Sequence, residues 1–306
     1  MSILADKDTV MIVQGITGRI GQVHTKRCLE FGMRIPAGVT PGRGGERVLG
    51  IPVMNSVKEA VEQFPGINAS MILVPPNAVL TAALDAIQAG IKLIAIITEF
   101  VPTIDSMKIV YEAERAGCTI IGPNTIGIIS PEESKIGVMP DYIYKRGHIG
   151  IASRSGTLTH EVASNLTFAG FGQSTCVCIG GDQVPGLSHT ELLKRFREDE
   201  ETKAVILLGE IGGQSEEDAA KYIIDTNYPK PVFAYIAGMK APEGKKMGHA
   251  GAIISKNTGT AASKIKALRN AGVHVAETTG RLKDMIASYD KAHGELLKTL
   301  EPIQDF

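Results

Sequence analysis

Tryptophan is absent from this 306-residue chain, and cysteine occurs only four times, at Cys28, Cys118, Cys176 and Cys178. Four scattered thiols are too few for a disulfide framework, so a packed core has to hold the fold. Neither sign of charge is in excess: 32 Lys+Arg stand against 33 Asp+Glu, a formal net charge of −1. That balance excludes a protein that holds nucleic acid through bulk counterion release. No uninterrupted apolar run reaches the ~18–20 residues that cross a bilayer, so no membrane contact is expected. The opening stretch Ser2-Ile3-Leu4-Ala5-Asp6-Lys7-Asp8 lacks the basic flank and apolar centre of a signal peptide, and a cytoplasmic protein is expected.

Glycine, by contrast, is plentiful at 34 residues, with hydrophobic residues at 43% and charged residues at 21%. This is the composition of a folded globular chain, and the length predicts two domains. Short apolar runs at 9–13, 69–74, 93–97, 118–121, 149–152, 204–208, 232–236 and 273–276 read as strands. Helix-length stretches at 22–31, 78–89, 106–116, 157–169, 216–225 and 259–271 lie between several of them. Near-continuous apolar strands alternating with helices predict an α/β fold with parallel sheets covered on both faces. From Asn124 to His148 the alternation stops amid Gly, Pro and mixed charge. Residues 124–145 read as an inter-domain crossing, 1–123 as a first domain and 146–306 as a second. The end of the chain, 296–306, reads as a helix end and a loose tail.

Gly15-Ile16-Thr17-Gly18-Arg19-Ile20-Gly21 follows the first strand. Glycines there let backbone approach a phosphate, and a helix N-terminus beyond offers free N–H groups. The spacing is G-x-x-G-x-x-G, which is not the dinucleotide fingerprint and disfavours a nicotinamide dehydrogenase; alone, it also fits a purely structural tight turn. Gly38-Val39-Thr40-Pro41-Gly42-Arg43-Gly44-Gly45 sets a second basic side chain among glycines. Two such loops suggest an adenine nucleotide other than NAD.

In the second half, Ser153-Arg154-Ser155-Gly156-Thr157 follows a strand and opens a helix, a place to hold a phosphoryl group or simply an N-cap. Glu210, in Leu208-Gly209-Glu210-Ile211-Gly212-Gly213, stands at the carboxyl end of a strand, where open parallel sheets bind ligands. It also fits a cap on the helix near Ser215. Lys245-Lys246-Met247-Gly248-His249-Ala250-Gly251-Ala252-Ile253-Ile254 presents a histidine among small residues. Such a histidine can form a covalent phospho-intermediate if a carboxylate orients its other ring nitrogen; otherwise it is a solvated loop residue. His24, His148, His160, His189, His274 and His293 show no H-x-x-x-H or H-E-x-x-H spacing, so no metal site is predicted.

Together with Ile97-Thr98-Glu99, Ile121-Gly122-Pro123-Asn124 and Ile179-Gly180-Gly181-Asp182, these motifs resemble, in order and over nearly the whole chain, the α subunits of the nucleotide-forming succinate–CoA ligases. The citrate-cleaving ATP-dependent lyases are relatives of that family. The resemblance implies a Rossmann-like CoA-binding domain followed by a flavodoxin-like ligase domain. It implies a β subunit, in an αβ or α2β2 heteromer, supplying the ATP- or GTP-grasp site and Mg²⁺. A small carboxylic acid is joined to coenzyme A with cleavage of NTP, by way of a phosphohistidine and an acyl phosphate. By the same resemblance, His249 is the phosphorylated residue and Glu210 its orienting carboxylate. Ser155 and Gly156 cradle the phosphoryl group, and Thr17, Gly18, Arg19, Ile20, Arg43, Ile97, Thr98 and Glu99 line the CoA site.

Departures from the succinate pattern bear on the acid. His160 stands where that family has Tyr, at a position tied to the acid substrate. Thr125-Ile126 replaces Cys-Pro after Asn124, Phe100 replaces Gly, Leu187-Ser188-His189 replaces a Ser-Asn-Phe-like stretch, and Lys256-Asn257-Thr258 interrupts a glycine-rich segment. His160, Asn124 and Thr125 are therefore the expected acid-binding residues. A histidine beside an anion suits an acid with an extra hydroxyl or acidic group, such as malate, citrate or sulfoacetate; family drift with succinate retained is the alternative. A non-catalytic CoA-binding regulatory protein would need neither His249 nor Glu210.

Overall fold

Apolar strands buried on both faces form the centres of two seven-stranded sheets in the computed structural model, which describes residues 2–242, 247–253 and 259–301. The first sheet contains β1 (Met11–Gln14), β2 (Gly38–Val39), β3 (Arg47–Val48), β4 (Ile51–Met54), β5 (Ala69–Ile72), β6 (Leu93–Ile96) and β7 (Thr119–Ile121). Their order is β3-β4-β2-β1-β5-β6-β7, parallel except for β3 against β4. The chain leaves β1 on one side to form β2 and returns on the other as β5, so the strand order reverses at β1. Ligands bind at such a reversal, outside the carboxyl ends of the strands.

The second sheet contains β8 (Gly127–Ser130), β9 (Ser134–Gly137), β10 (Arg146–Ser153), β11 (Gln173–Cys178), β12 (Ala204–Glu210), β13 (Val232–Ala237) and β14 (His274–Ala276). Its order is β14-β13-β12-β10-β11-β8-β9. The five strands from β10 onward are parallel in the flavodoxin-like order 2-1-3-4-5, with the reversal between β10 and β12. Helices α1 (Arg19–Phe31), α2 (Val57–Gln63), α3 (Val79–Gln88) and α4 (Thr103–Ala116) accompany the first sheet. Helices α5 (Gly156–Phe168), α6 (His189–Glu198), α7 (Ser215–Thr226), α8 (Ala261–Asn270) and α9 (Thr279–Ala292) accompany the second. No described helix is long and apolar enough to cross a membrane.

Several elements depart from the expectation: β2 to β4, α2 and α9 lie outside the runs expected as strands or helices, and further departures have a clear physical cause. Residues 124–145, expected as an irregular crossing, contain the hairpin β8–β9, which extends the second sheet by antiparallel pairing of Ile129 with Cys176. Its strands hide because glycine is required where they cross. A Cβ on Gly127 would lie 2.0 Å from the Ile136 carbonyl oxygen, and one on Gly137 2.1 Å from that of Ile126. β11 was not expected because Gln-Ser-Thr-Cys-Val-Cys has no aliphatic run. It is nevertheless fully buried, because each polar side chain finds a partner: Ser174 meets Thr202 at 2.6 Å and Thr175 meets Ser130 at 3.0 Å. α6 likewise carries few apolar residues but is started by a capping box between Ser188 and Glu191. At the end of the chain the last helix stops at Ala292, before the stretch expected as a helix end.

Candidate active site

The turn after β10 and the turn after β12 meet at the reversal point of the second sheet. β12 carries Glu210 as its last residue. Glu210 does not cap α7, whose N-cap is Gln214 without a side-chain bond. Its two carboxylate oxygens instead face Nδ1 of His249 at 3.0 and 2.9 Å, across 39 residues of sequence. Glu210 is nearly buried, whereas the His249 side chain keeps 31% of its surface. Nδ1 then carries the proton, and Nε2 is the nitrogen left for chemistry. The Glu210 hydrogen bond raises the His249 pKa above its ordinary value. Burial opposes this, and Arg154 nearby also lowers it.

Small residues let the ring sit there. A Cβ on Gly181 would lie 2.5 Å from Cγ of His249. Gly251 donates its N–H to the Gly181 carbonyl at 3.0 Å, which holds the histidine turn against the loop after β11. Arg154 is the residue that motif reading left without a role. Its side chain is buried, its Nη2 donates to the Asp182 carbonyl at 2.9 Å, and its Nε stands 3.9 Å from a Glu210 oxygen. It joins the start of α5 to the histidine turn and stands beside the Glu210 carboxylate.

Ser155 is the N-cap of α5, its Oγ accepting from the Leu158 N–H at 3.4 Å. The N-cap reading therefore holds, and it leaves the first-turn amides of Gly156 and Thr157 with no carbonyl of their own helix to bond. Gly156 has a packing reason as well, since a Cβ there would press on Ile126 at 2.6 Å. His160 lies one helical turn further, on the same face as Gly156. Its Nδ1 is engaged by the hydroxyl of buried Tyr144 at 2.8 Å, and burial lowers its pKa.

Asn124 and Thr125 part company. The Asn124 amide donates to Asp182 at 3.1 Å, and the residue lines a cavity of about 190 Å³ together with His249, Asp182, Glu99 and Phe100. Thr125 is buried with its hydroxyl given to the Cys178 carbonyl and accepting from the Gly127 N–H. That arrangement uses the donor and an acceptor position of the hydroxyl inside the fold, where it was expected to meet the acid. Phe100, at the cavity, is 75% exposed and holds a left-handed backbone (φ 62°).

The remaining expected residues cluster at the carboxyl edge of the first sheet. Thr17, Gly18, Arg19 and Ile20 form the turn from β1 into α1, and the Thr17 hydroxyl meets that of Thr40 at 3.2 Å, linking the two glycine loops. The turn is tight by necessity: a Cβ on Gly21 would fall 2.2 Å from the Gly15 carbonyl oxygen. Arg43 is exposed and ion-paired with Glu46, which raises its pKa. Ile97, Thr98 and Glu99 follow β6; the Thr98 hydroxyl donates to the Val74 carbonyl at 2.7 Å, and its carbonyl accepts from the Asn124 N–H at 2.9 Å. Of this set, Glu99 reaches the cavity shared with His249. Lys245, Lys246, Ile254 and the Lys256-Asn257-Thr258 departure lie outside the described residues.

Two family models match this chain, the CoA binding domain over residues 6–100 and the CoA-ligase over 152–274, and together they define a CoA-ligase type of chain. It is 52% identical to the succinate–CoA ligase [ADP-forming] subunit alpha 2 of Archaeoglobus fulgidus, over 94% of this chain and 99% of that one. The α subunit of the same enzyme from Aquifex aeolicus is 50% identical over 98% and 96% of the two chains. The chain belongs to the family of succinate–CoA ligase α subunits. Its fold is also that of ATP citrate lyase from Methanothrix soehngenii, with a TM-score of 0.88 at 24% identity over 99% of this chain. This chain spans about half of that longer one, 53%.

Proposed function

We propose that this chain is the α half of an NDP-forming acid–CoA ligase, with succinate as its acid and an ATP-grasp β subunit as its obligate partner. The observation that carries the reading is the grip of both Glu210 oxygens on Nδ1 of His249. A nucleophilic imidazole needs one nitrogen free and the other held by an acceptor, and this arrangement supplies both. His249 Nε2 attacks the terminal phosphorus of the nucleotide, the bond to the departing NDP breaks, and Glu210 stabilises the positive ring. The Gly156 and Thr157 amides at the start of α5 supply partial positive charge for the phosphoryl oxygens without a bulky cation in the path of attack. A carboxylate oxygen of the acid then takes the phosphoryl group, and His249 returns to its neutral form. The CoA sulfur attacks the acyl carbon and inorganic phosphate leaves.

CoA is assigned to the edge formed by Thr17, Gly18, Arg19, Ile20, Arg43, Ile97, Thr98 and Glu99, within a first domain of residues 1–123. Residues 146–306 form the ligase domain in this reading, and the β8–β9 hairpin occupies the stretch between them. The nucleotide, ATP or GTP, and its Mg²⁺ are assigned to the partner; among the described residues no group of three or more His, Cys, Asp or Glu could hold a metal ion. The site of action is the cytoplasm. A second reading keeps this chemistry but takes malate, citrate or sulfoacetate, and the observation favouring it is His160, a hydrogen-bonding ring on the same helix face as Gly156.

The test is CoA consumption by the co-expressed complex with NTP and each acid in turn. Turnover of succinate only when both subunits are present supports the first reading. Preference for a hydroxylated, tricarboxylic or sulfonated acid supports the second, and no turnover with any acid overturns both.

A further inference from the structure

Beneath Glu210 lies an ion pair that the chemistry above does not use. Lys264 on α8 and Glu216 on α7 have fully buried side chains in contact with each other. The Lys264 ammonium has three donors. One goes to Glu216, one to the Glu210 carbonyl at 2.8 Å and one to the Gly212 carbonyl at 2.6 Å. The second Glu216 oxygen accepts the Glu210 N–H at 3.2 Å. Both polar groups of the Glu210 peptide are therefore held by one ion pair. Gly209 makes this possible, since a Cβ there would come within 2.4 Å of that carboxylate oxygen.

α8 begins just after the segment that carries His249, and Gly259 at its approach accepts the Gly212 N–H at 2.8 Å. The pair thus ties the strand end bearing the carboxylate to the helix that follows the histidine segment. Buried charges are expensive, and an apolar pair of equal volume would usually serve the fold as well or better. Two charges kept at this point therefore call for a role other than packing. Besides Lys264, the groups facing Glu216 are His189, whose ring bonds Ser215 at 3.0 Å and the Leu208 carbonyl at 3.3 Å, and the Arg154 guanidinium.

We infer that Lys264 and Glu216 are positioning residues for phosphoryl transfer, fixing the Glu210 carboxylate against His249 Nδ1 by clamping its peptide from both sides. The inference rests on the phosphohistidine reading proposed above. A misplacement of about 1 Å in such a constellation costs on the order of 100-fold in rate.

The test compares wild type, Glu216→Gln, Lys264→Met, Glu210→Gln and Glu216→Gln/Glu210→Gln as complexes with the β subunit. Single-turnover labelling of His249 from NTP, normalised to titrated active sites, is measured beside CoA affinity and the titration of the His249 ring by NMR. Glu216→Gln and Lys264→Met are expected to slow labelling by no more than losing the Glu210 contact itself, about 5- to 30-fold, with CoA affinity within about twofold. The His249 pKa is expected to fall toward its ordinary value in both. In the Glu210→Gln background, Glu216→Gln adds less than about threefold, because the carboxylate it positions has lost its charge.

Labelling per site and a His249 titration equal to wild type overturn the inference, as does a Glu216→Gln effect of equal size in both backgrounds. Glu216→Gln keeps the volume of the side chain, so it decides the matter if Lys264→Met does not fold. If no folded Glu216→Gln complex forms either, the pair serves the fold and the inference falls. A wild-type complex that takes no label overturns the phosphohistidine reading instead, and the two failures are distinct.

Discussion

Replacing Glu210 with glutamine keeps the shape of the side chain and removes the charge that faces His249. Two oxygens at 3.0 and 2.9 Å from Nδ1 make a charge-assisted contact once the ring carries positive charge during attack. Such bonds contribute about 1.5–3 kcal/mol against about 0.5–1.5 for neutral ones, so the loss is about 1–2 kcal/mol. At ~1.4 kcal/mol per decade, that slows phosphorylation of His249 about 5- to 30-fold. CoA affinity should be unchanged, since the residues assigned to CoA lie at the edge of the other sheet. The pH dependence sharpens the test. Attack needs the neutral ring, so the wild-type rate rises as pH passes the His249 pKa, which the Glu210 bond holds above the ordinary 6.5. In Glu210→Gln that midpoint moves down. The defect is therefore largest at alkaline pH and shrinks in acid, where the variant keeps more neutral ring. The assay is rapid-quench labelling from terminally radiolabelled nucleotide. A variant that labels as fast as wild type at about pH 8, or with an unshifted midpoint, refutes the reasoning.

Gly181→Ala should displace the His249 ring, because its Cβ would stand 2.5 Å from Cγ; labelling falls by more than about tenfold with circular dichroism unchanged. His160→Tyr leaves the buried Tyr144 hydroxyl without its 2.8 Å partner and costs about 1–3 kcal/mol in denaturant titration, recovered by adding Tyr144→Phe. On the second reading, the kcat/KM ranking in that double variant shifts toward succinate with His249 labelling intact; a ranking unchanged within about twofold removes His160 from the acid site. Arg43→Ala should raise the CoA KM about 10- to 150-fold, the worth of one charge-assisted phosphate contact, without slowing His249 labelling. The raised His249 pKa also contributes stability that is present below its unfolded value and lost as pH rises through the folded one. The Tm gap between wild type and Glu210→Gln should accordingly be wider at about pH 5.5 than at about pH 9.

The α/β class and the two residues that meet in the candidate site, His249 and Glu210, were legible because their signals are local. Strands such as β6 and β12 are unbroken apolar runs, and His249 and Glu210 each stand among glycines, which mark places where backbone must come close. What joins them was not legible. Arg154 sits inside a recognisable motif, yet its contact with Glu210 depends on β10 and β12 being neighbours, and pairing of strands 50 or more residues apart leaves no local trace. Lys264 looks like any lysine on an amphipathic helix, and only the packing of α7 on α8 shows it to be buried. β8, β9 and β11 were missed for a different reason. Their stability comes from glycine crossings and paired hydroxyls, which a search for apolar runs passes over. Thr125, expected to face the acid because it stands beside a motif, has its hydroxyl bonded within the fold to Cys178 and Gly127, partners that no local pattern announces.

Phosphate carried by His249 is the most direct mark of the proposed chemistry. The co-expressed complex, given NTP alone and analysed by peptide mass spectrometry under alkaline conditions, should carry acid-labile, base-stable phosphate on His249. The label should disappear on adding succinate and CoA, and His249→Asn should carry none. Phosphate on another residue, or a wild-type complex that turns over acid and CoA with His249 never labelled, would contradict the account.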